Sequence, residues 1–175
     1  MSSDILDLDV GNTRLKWRLS GGDCVADAGA VSRADRALQA LPPAAPARIR
    51  ICSVAGEAFD RDIGAALLDR YGVPGEFAAV TRALCGVRCG YDDPAALGVD
   101  RWLAVVAAWQ HYGRACIVVD VGSACTLDVV GPTGDHRGGY IVPGFRLTLD
   151  VQVIDPAIPS VDATWVLGLR TAFEF

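Results

Sequence analysis

The chain carries one short phrase twice, as Asp9-Val10-Gly11-Asn12-Thr13 near its start and as Asp120-Val121-Gly122-Ser123 in its second half. Each copy follows a short apolar run, over 5–8 and 117–119, and each precedes another run with strand character. A strand that ends in Asp, turns at Gly and returns as a strand predicts a hairpin with a carboxylate at its tip. Gly in the turn permits φ > 0 and lets backbone N–H groups come close to phosphate oxygens. Two such tips facing each other across a gap would hold a polyphosphate and its cation between them. The duplication therefore predicts two related lobes with a nucleotide cleft.

The rest of the chain supplies elements in a matching order. Runs over 5–9 and 13–19 predict the first hairpin: Thr13, Leu15, Trp17 and Leu19 alternate with Arg14, Lys16 and Arg18, a period of two with one wet face. Gly21-Gly22-Asp23 turns into a third strand over 24–28, and Ser32 is placed to cap a short helix ending at Leu41 before Pro42-Pro43. A buried strand over 48–54, an amphipathic helix over 57–71 and a strand over 75–80 follow. A polar loop with Gly86, Gly90, Tyr91, Asp92, Asp93 and Pro94 leads to the longest helix, 100–112, stopped at Gly113. Strands over 116–120, 125–130 and 139–142 come next. Three strands, then helices alternating with strands, then three strands again fit a duplicated α/β lobe built on a mixed sheet. After Phe145-Arg146-Leu147 the chain reads as Pro-punctuated and irregular, so the second copy is expected to be incomplete. The expected organisation is a first lobe over 1–114, the start of a second over 115–149 and an atypical tail over 150–175.

With 175 residues, 51% of them hydrophobic, the chain can bury a core in one or two small domains. A net charge of −5 leaves no basic surface for nucleic acid or an anionic membrane. No apolar run reaches the length of a membrane span, and the start lacks a leader pattern, so a cytoplasmic protein is expected. Six scattered Cys read as small buried hydrophobes, with Cys85 and Cys89 spaced so that they could pair or hold a metal.

Several residues are placed to carry chemistry. Asp9 and Asp120 offer hard oxygens to Mg²⁺ or a monovalent ion, and Asn12, Thr13, Ser123 and Thr126 add neutral donors. Gly98-Val99-Asp100-Arg101 opens the long helix. Asp100 reads either as an N-cap or as a general base that takes a proton from a substrate hydroxyl. Arg101 reads either as a solvated first-turn charge or as a grip on a substrate carboxylate. Tyr91 is a surface residue or a pocket wall. Trp102, Val105, Val106 and Trp109 have core spacing, and His111 and His136 read as structural or exposed. The glycine-rich stretch 138–144 is either a tight turn into a buried strand or a close backbone approach to the cleft.

Taken in order, the Asp9–Thr13 phrase, Gly90-Tyr91, Gly98-Val99-Asp100-Arg101, the Asp120–Ser123 phrase and His136-Arg137-Gly138-Gly139-Tyr140-Ile141-Val142-Pro143-Gly144 resemble the type III pantothenate kinases. The resemblance runs from about Asp4 to Leu147. It implies the actin/sugar-kinase/Hsp70-like superfamily, with duplicated RNase H-like lobes of which the second is incomplete here. It implies ATP-dependent phosphorylation of pantothenate to 4′-phosphopantothenate, the first step toward coenzyme A. By the same resemblance Asp9, Val10, Gly11, Asn12, Thr13, Arg14, Leu15 and Lys16 meet the ATP phosphates, and Ser123 contacts ATP. Tyr91, Gly98, Val99, Asp100 and Arg101 line the pantothenate pocket, with Asp100 as general base. Asp120 binds the monovalent cation, K⁺ or NH₄⁺, and Mg²⁺ accompanies ATP. A homodimer is also implied. The alternatives are a catalytically incomplete remnant that binds nucleotide or serves as an accessory protein, and another kinase or phosphatase of the same superfamily.

Overall fold

Alternation of apolar and charged residues produces the first hairpin in the computed structural model, which describes residues 4–22, 24–33, 37–122, 124–143, 145–154 and 164–173, the last two stretches as paired strands only. Strand β1 (Ile5–Val10) pairs antiparallel with β2 (Arg14–Gly21), setting Leu8 against Trp17 and Asp9 against Lys16. Strand β3 (Cys24–Ser32) follows β2 along its whole length, so it outruns the predicted 24–28 and takes Ser32 into the strand. Of the predicted helix up to Leu41, the described residues show a 3-10 turn, Ala37–Ala40. Strands β4 (Arg48–Ser53) and β5 (Gly75–Phe77) add in parallel, giving a mixed sheet of order β3-β2-β1-β4-β5.

Helix α1 (Glu57–Tyr71) spans the predicted residues and stops at Gly72, which adopts φ 68° and returns its N–H to the Leu68 carbonyl at 2.8 Å. Ile63, Leu67 and Tyr71 fall on one stripe at four-residue spacing. That stripe covers the apolar face of the sheet, where Leu6, Leu8, Val10, Leu15, Ile49 and Ile51 are buried. The opposite face holds Asp7, Asp9, Lys16, Arg18, Arg50 and Cys52, because strand side chains alternate.

The polar loop contains a small hairpin missed by the sequence reading, β6 (Ala83–Leu84) and β7 (Val87–Arg88). It turns at Cys85 and Gly86, with φ of 48° and 85°, the paired positive values that a tight two-residue hairpin requires. Helix α2 (Val99–Tyr112) follows, then β8 (Cys116–Val121), β9 (Ala124–Val130) and β10 (His136–Pro143). These three strands form an antiparallel sheet of order β10-β9-β8, repeating the order β3-β2-β1 of the first. The loop of the first hairpin is residues 11–14 between paired Val10 and Leu15; that of the second, 122–124, is one residue shorter.

The tail departs from the irregular segment expected over 150–175. Strands β11 (Phe145–Ile154) and β12 (Thr164–Phe173) pair antiparallel, with Asp150 opposite Gly168, so β11 crosses the expected boundary at 149–150. The cause is legible afterwards: Leu147, Leu149, Val151 and Val153 alternate with Thr148, Asp150 and Gln152, a strand period that the later prolines obscured.

Helix α2 lies between the two sheets and touches β4 on one side and β7, β8 and β9 on the other. Trp102, Val105 and Val106 form a second core with Val87, Leu97 and Val130. Asp100, Leu103 and Ala107 share the opposite stripe, and Leu103 and Ala107 face the wet side of the first sheet. No helix among the described residues is long and apolar enough to cross a membrane. Of the Cys, Cys89 is buried, whereas Cys24 and Cys85 are exposed, so the expectation of buried thiols holds only in part.

Candidate active site

A cavity of about 810 Å³ opens between the wet face of the first sheet and α2. Its floor is a lattice of charge pairs dictated by strand register. Asp7 accepts from Arg50 Nε at 2.6 Å and from Arg18 Nη2 at 2.8 Å. Arg48 holds Glu76 through two bonds of 2.7 and 2.6 Å. Asp9, half exposed at the end of β1, stands 3.4 Å from the Lys16 ammonium. Its neighbour across the parallel ladder is Cys52 at the end of β4. Ligands in open α/β sheets gather outside the carboxyl ends of such strands.

Cys52 reports what surrounds it. Burial first, and then the negative charges of Asp9 and Asp100, push its thiol up to about 12. The carboxylates at the tip of β1 and in the first turn of α2 thus both act on Cys52, although they lie far apart in the chain. Asp100 is not the N-cap. Gly98 takes that place with φ −60° and ψ 134°, and Asp100 sits exposed in the first turn, accepting from the Arg101 amide at 2.7 Å. A Cβ on Gly98 would lie 2.6 Å from that Asp100 oxygen, so a larger residue there would make the Asp100 side chain move.

The predicted phosphate segment divides between the two faces of the hairpin. Asn12, Thr13, Arg14 and Lys16 are exposed, whereas Val10 and Leu15 point into the core with no exposure and can offer only main-chain groups. Gly11 donates its N–H to the Arg14 carbonyl at 2.9 Å, and the second tip repeats the device with Gly122 N–H to Ala124 O at 2.9 Å. Asp120 pairs with Thr126 across β8 and β9 and is exposed. Alternation puts it on the same face of its sheet as Val118 and Asp128, the face that α2 covers. Ser123 lies outside the described residues. No group of three or more His, Cys, Asp or Glu side chains able to hold a metal occurs among the described residues.

Arg101 is not a solvated charge. Only 7% exposed, its Nε and Nη2 donate to Asp128 at 2.9 and 2.6 Å. The bonds to Asp128 raise the guanidinium above its ordinary value; burial opposes them and the Tyr91 phenol assists. His136, read as structural or exposed, is structural: it is 2% exposed, and its Nε2 meets Asp128 Oδ1 at 2.9 Å. Because a carboxylate only accepts, that nitrogen is the donor, which leaves the buried Nδ1 without a partner among the described residues. Tyr91 stacks on the His136 ring at 5.9 Å, and Arg82 fastens the Tyr91 loop by donating to the Tyr91 and Asp92 carbonyls at 2.8 and 2.6 Å. Val99 is buried.

Asp128 is the residue that sequence reasoning missed. Its signal was present: a lone carboxylate at an inward period of the apolar run Ala124–Val130 cannot be buried without donors. Arg101 and His136 are those donors, contributed by α2 and β10.

The family model described as type III pantothenate kinase matches residues 5–153. Curated relatives carry the same description. That of Nitrosomonas eutropha (strain DSM 101675 / C91 / Nm57) is 42% identical over 148 residues, which are 82% of this chain and 57% of the relative. That of Alkalilimnicola ehrlichii (strain ATCC BAA-1101 / DSM 17681 / MLHE-1) is 46% identical over 153 residues, 83% and 61% of the two chains. That of Pseudomonas fluorescens (strain SBW25) is 41% identical over 148 residues, 82% and 59%. The chain thus spans about three fifths of the length of the curated relatives it matches.

Proposed function

This chain belongs to the type III pantothenate kinase family, and we propose that its cleft binds ATP and pantothenate and phosphorylates the primary hydroxyl of pantothenate to give 4′-phosphopantothenate, the first step of coenzyme A biosynthesis. The observation that carries this reading is the cavity over the wet face of the first sheet, which Asp9 and Lys16 line together with Leu103 and Ala107 of α2, the helix whose first turn holds Asp100. On this reading a phosphate-binding tip and a proton acceptor would serve one reacting centre. The repeated strand order supports reading the two sheets as duplicated RNase H-like lobes, with 1–114 as the first and 115–149 beginning the second.

Phosphoryl transfer makes modest demands on a protein: alignment of the two oxygens and neutralisation of spreading charge. The exposed turn amides after Asp9, with Asn12, Thr13, Arg14 and Lys16, would hold the phosphates; Val10 and Leu15 would serve through their main chain. Asp100, exposed at the head of α2, would accept the proton of the substrate hydroxyl as its oxygen bonds to the γ-phosphorus and ADP departs. Tyr91, Gly98, Val99 and Arg101 would enclose the acceptor, with the Arg101 charge facing its carboxylate. Asp9 would hold a hydrated Mg²⁺, which would supply screening of the phosphate charge. Asp120 and Ser123 at the second tip would serve the monovalent cation, K⁺ or NH₄⁺, and the nucleotide.

A coupled ADP-release assay with ATP, Mg²⁺, K⁺ and pantothenate tests the reading. Expected is ADP release that depends on pantothenate and falls at least about a hundredfold in Asp100→Asn, the scale of a lost general base. Pantothenate-independent release, or none above background, overturns it in favour of a nucleotide-binding or accessory role.

A further inference from the structure

We propose that Asp128 is a positioning residue: from the second sheet it sets the plane of the Arg101 guanidinium and, through the adjoining peptide, the place of Asp100. The proposal rests on the kinase reading above and assigns a role to a residue that reading does not use.

The geometry is over-determined. A guanidinium that donates through Nε and Nη2 to both oxygens of one carboxylate has its plane and rotation fixed, and its Nη1 group is left outside the pair. Asp128 is itself held by His136, so α2, β9 and β10 meet at one buried carboxylate, 1% exposed. Nothing bulkier than glycine fits beside it. A Cβ at Gly139 would lie 2.7 Å from Arg101 Nη2 and would collide with Asp128 Oδ1 and the Leu127 carbonyl. The Tyr91 ring against His136 extends the same tie to the loop that faces the acceptor. A buried ion pair of this kind adds little net stability over apolar packing, yet it specifies orientation closely. Orientation is what a carboxylate grip next to a general base requires.

The test uses the whole chain and two titrations, pantothenate and a non-hydrolysable ATP analogue, on Asp128→Asn, Arg101→Lys and the double variant. Expected is about a tenfold weaker pantothenate affinity in each single variant, with the double variant no weaker than Arg101→Lys, because one acts through the other. ATP-analogue affinity stays within about twofold. Amides 99–102 exchange hydrogen faster in Asp128→Asn while those of α1 do not change. Unchanged pantothenate affinity, or loss of both ligands in parallel with a lowered melting temperature, overturns the proposal. If Asp128→Asn does not fold, His136→Gln is titrated instead: a severalfold loss confined to pantothenate supports the role, and a parallel loss or none overturns it. Absence of pantothenate binding by the unaltered chain defeats the kinase reading, and this inference with it. An indifferent Asp128→Asn in a chain that binds pantothenate defeats this inference alone.

Discussion

The two copies of the hairpin present the same pattern and opposite burial. In β1, Leu6, Leu8 and Val10 are 0–2% exposed beneath α1. Their counterparts by the repeated phrase, Ile117, Val119 and Val121 in β8, are 63, 55 and 61% exposed. Tyr140 and Val142 on β10 continue that open face, since Tyr140 pairs with Leu127 and Leu127 with Val119. The inward faces differ too: Asp7 and Asp9 in the first sheet correspond to Val118 and Asp120 in the second. Alternation makes a strand two-sided, but only a covering element makes a side into a core. The first sheet has α1 for its apolar face and α2 beyond its wet one; the second has α2 alone among the described residues.

The largest test of this contrast is truncation at matched positions. Leu8→Ala is expected to cost about 2–5 kcal/mol, the range for a fully buried leucine. Val119→Ala should stay within about 0.5 kcal/mol, as an exposed residue does. Urea unfolding midpoints measure both, and equal losses would show that the outer face of the second sheet is covered.

Glycines in the third strand of each sheet sharpen the comparison. Gly139→Ala should cost about 1–3 kcal/mol, because its new methyl meets the Leu127 carbonyl and the buried ion pair, which have no room to yield. Gly29→Ala meets the Trp17 ring at 2.8 Å, a side chain at the edge of the core that can tilt, and should cost less. The same unfolding series reads the two, and a larger loss at Gly29 would contradict the assignment.

Acid titration separates the inward faces more gently. Burial alone would raise the Asp7 carboxyl, but hydrogen bonds and charge from Arg50 and Arg18 outweigh it and hold it below the ordinary 3.8. A depressed carboxylate stabilises the fold above its unfolded value and loses that contribution as pH falls through the folded one. Stability should therefore drop below about pH 4, and Asp7→Asn should flatten that acid limb; a limb unchanged by Asp7→Asn would refute the claim.

The smallest effect is a rate. With its thiol pushed up to about 12, Cys52 should alkylate far more slowly at pH 8 than exposed Cys24 or Cys85. Asp100→Asn removes one of the two charges and should quicken Cys52 labelling modestly, as followed by mass spectrometry. No change on removing either Asp9 or Asp100 would separate the two tips of the cleft.

Much of this was legible before any coordinates. Helix α1 was bounded to the residue by its periodicity and by Gly72, and both hairpins were marked by Asp-Val-Gly. Short elements were not legible: β6 and β7 hold two residues each and turn through Cys85, a residue type that gives no turn signal. The length of β3 came from its partner β2, not from its own alternation. At the site, Tyr91 and Arg101 were read as separate marks along the chain and His136 as structural or exposed, while Asp128, which joins Arg101 to His136, was passed over. A buried charge is recognised by its partner, and that partner comes from a distant element.

The amino-acid order by itself determined the local chemistry: which strands have two faces, where glycine must turn the chain and which carboxylates end a strand or open a helix. These follow from backbone geometry and side-chain period, which act within a few residues. Tertiary structure alone decided which apolar face became core, that Arg101 is held by Asp128, and that α2 closes one side of the cavity that Asp9 and Cys52 line. Burial and electrostatic coupling depend on distance in space, and α2 brings those distances about by lying between two sheets that the sequence only lists in turn.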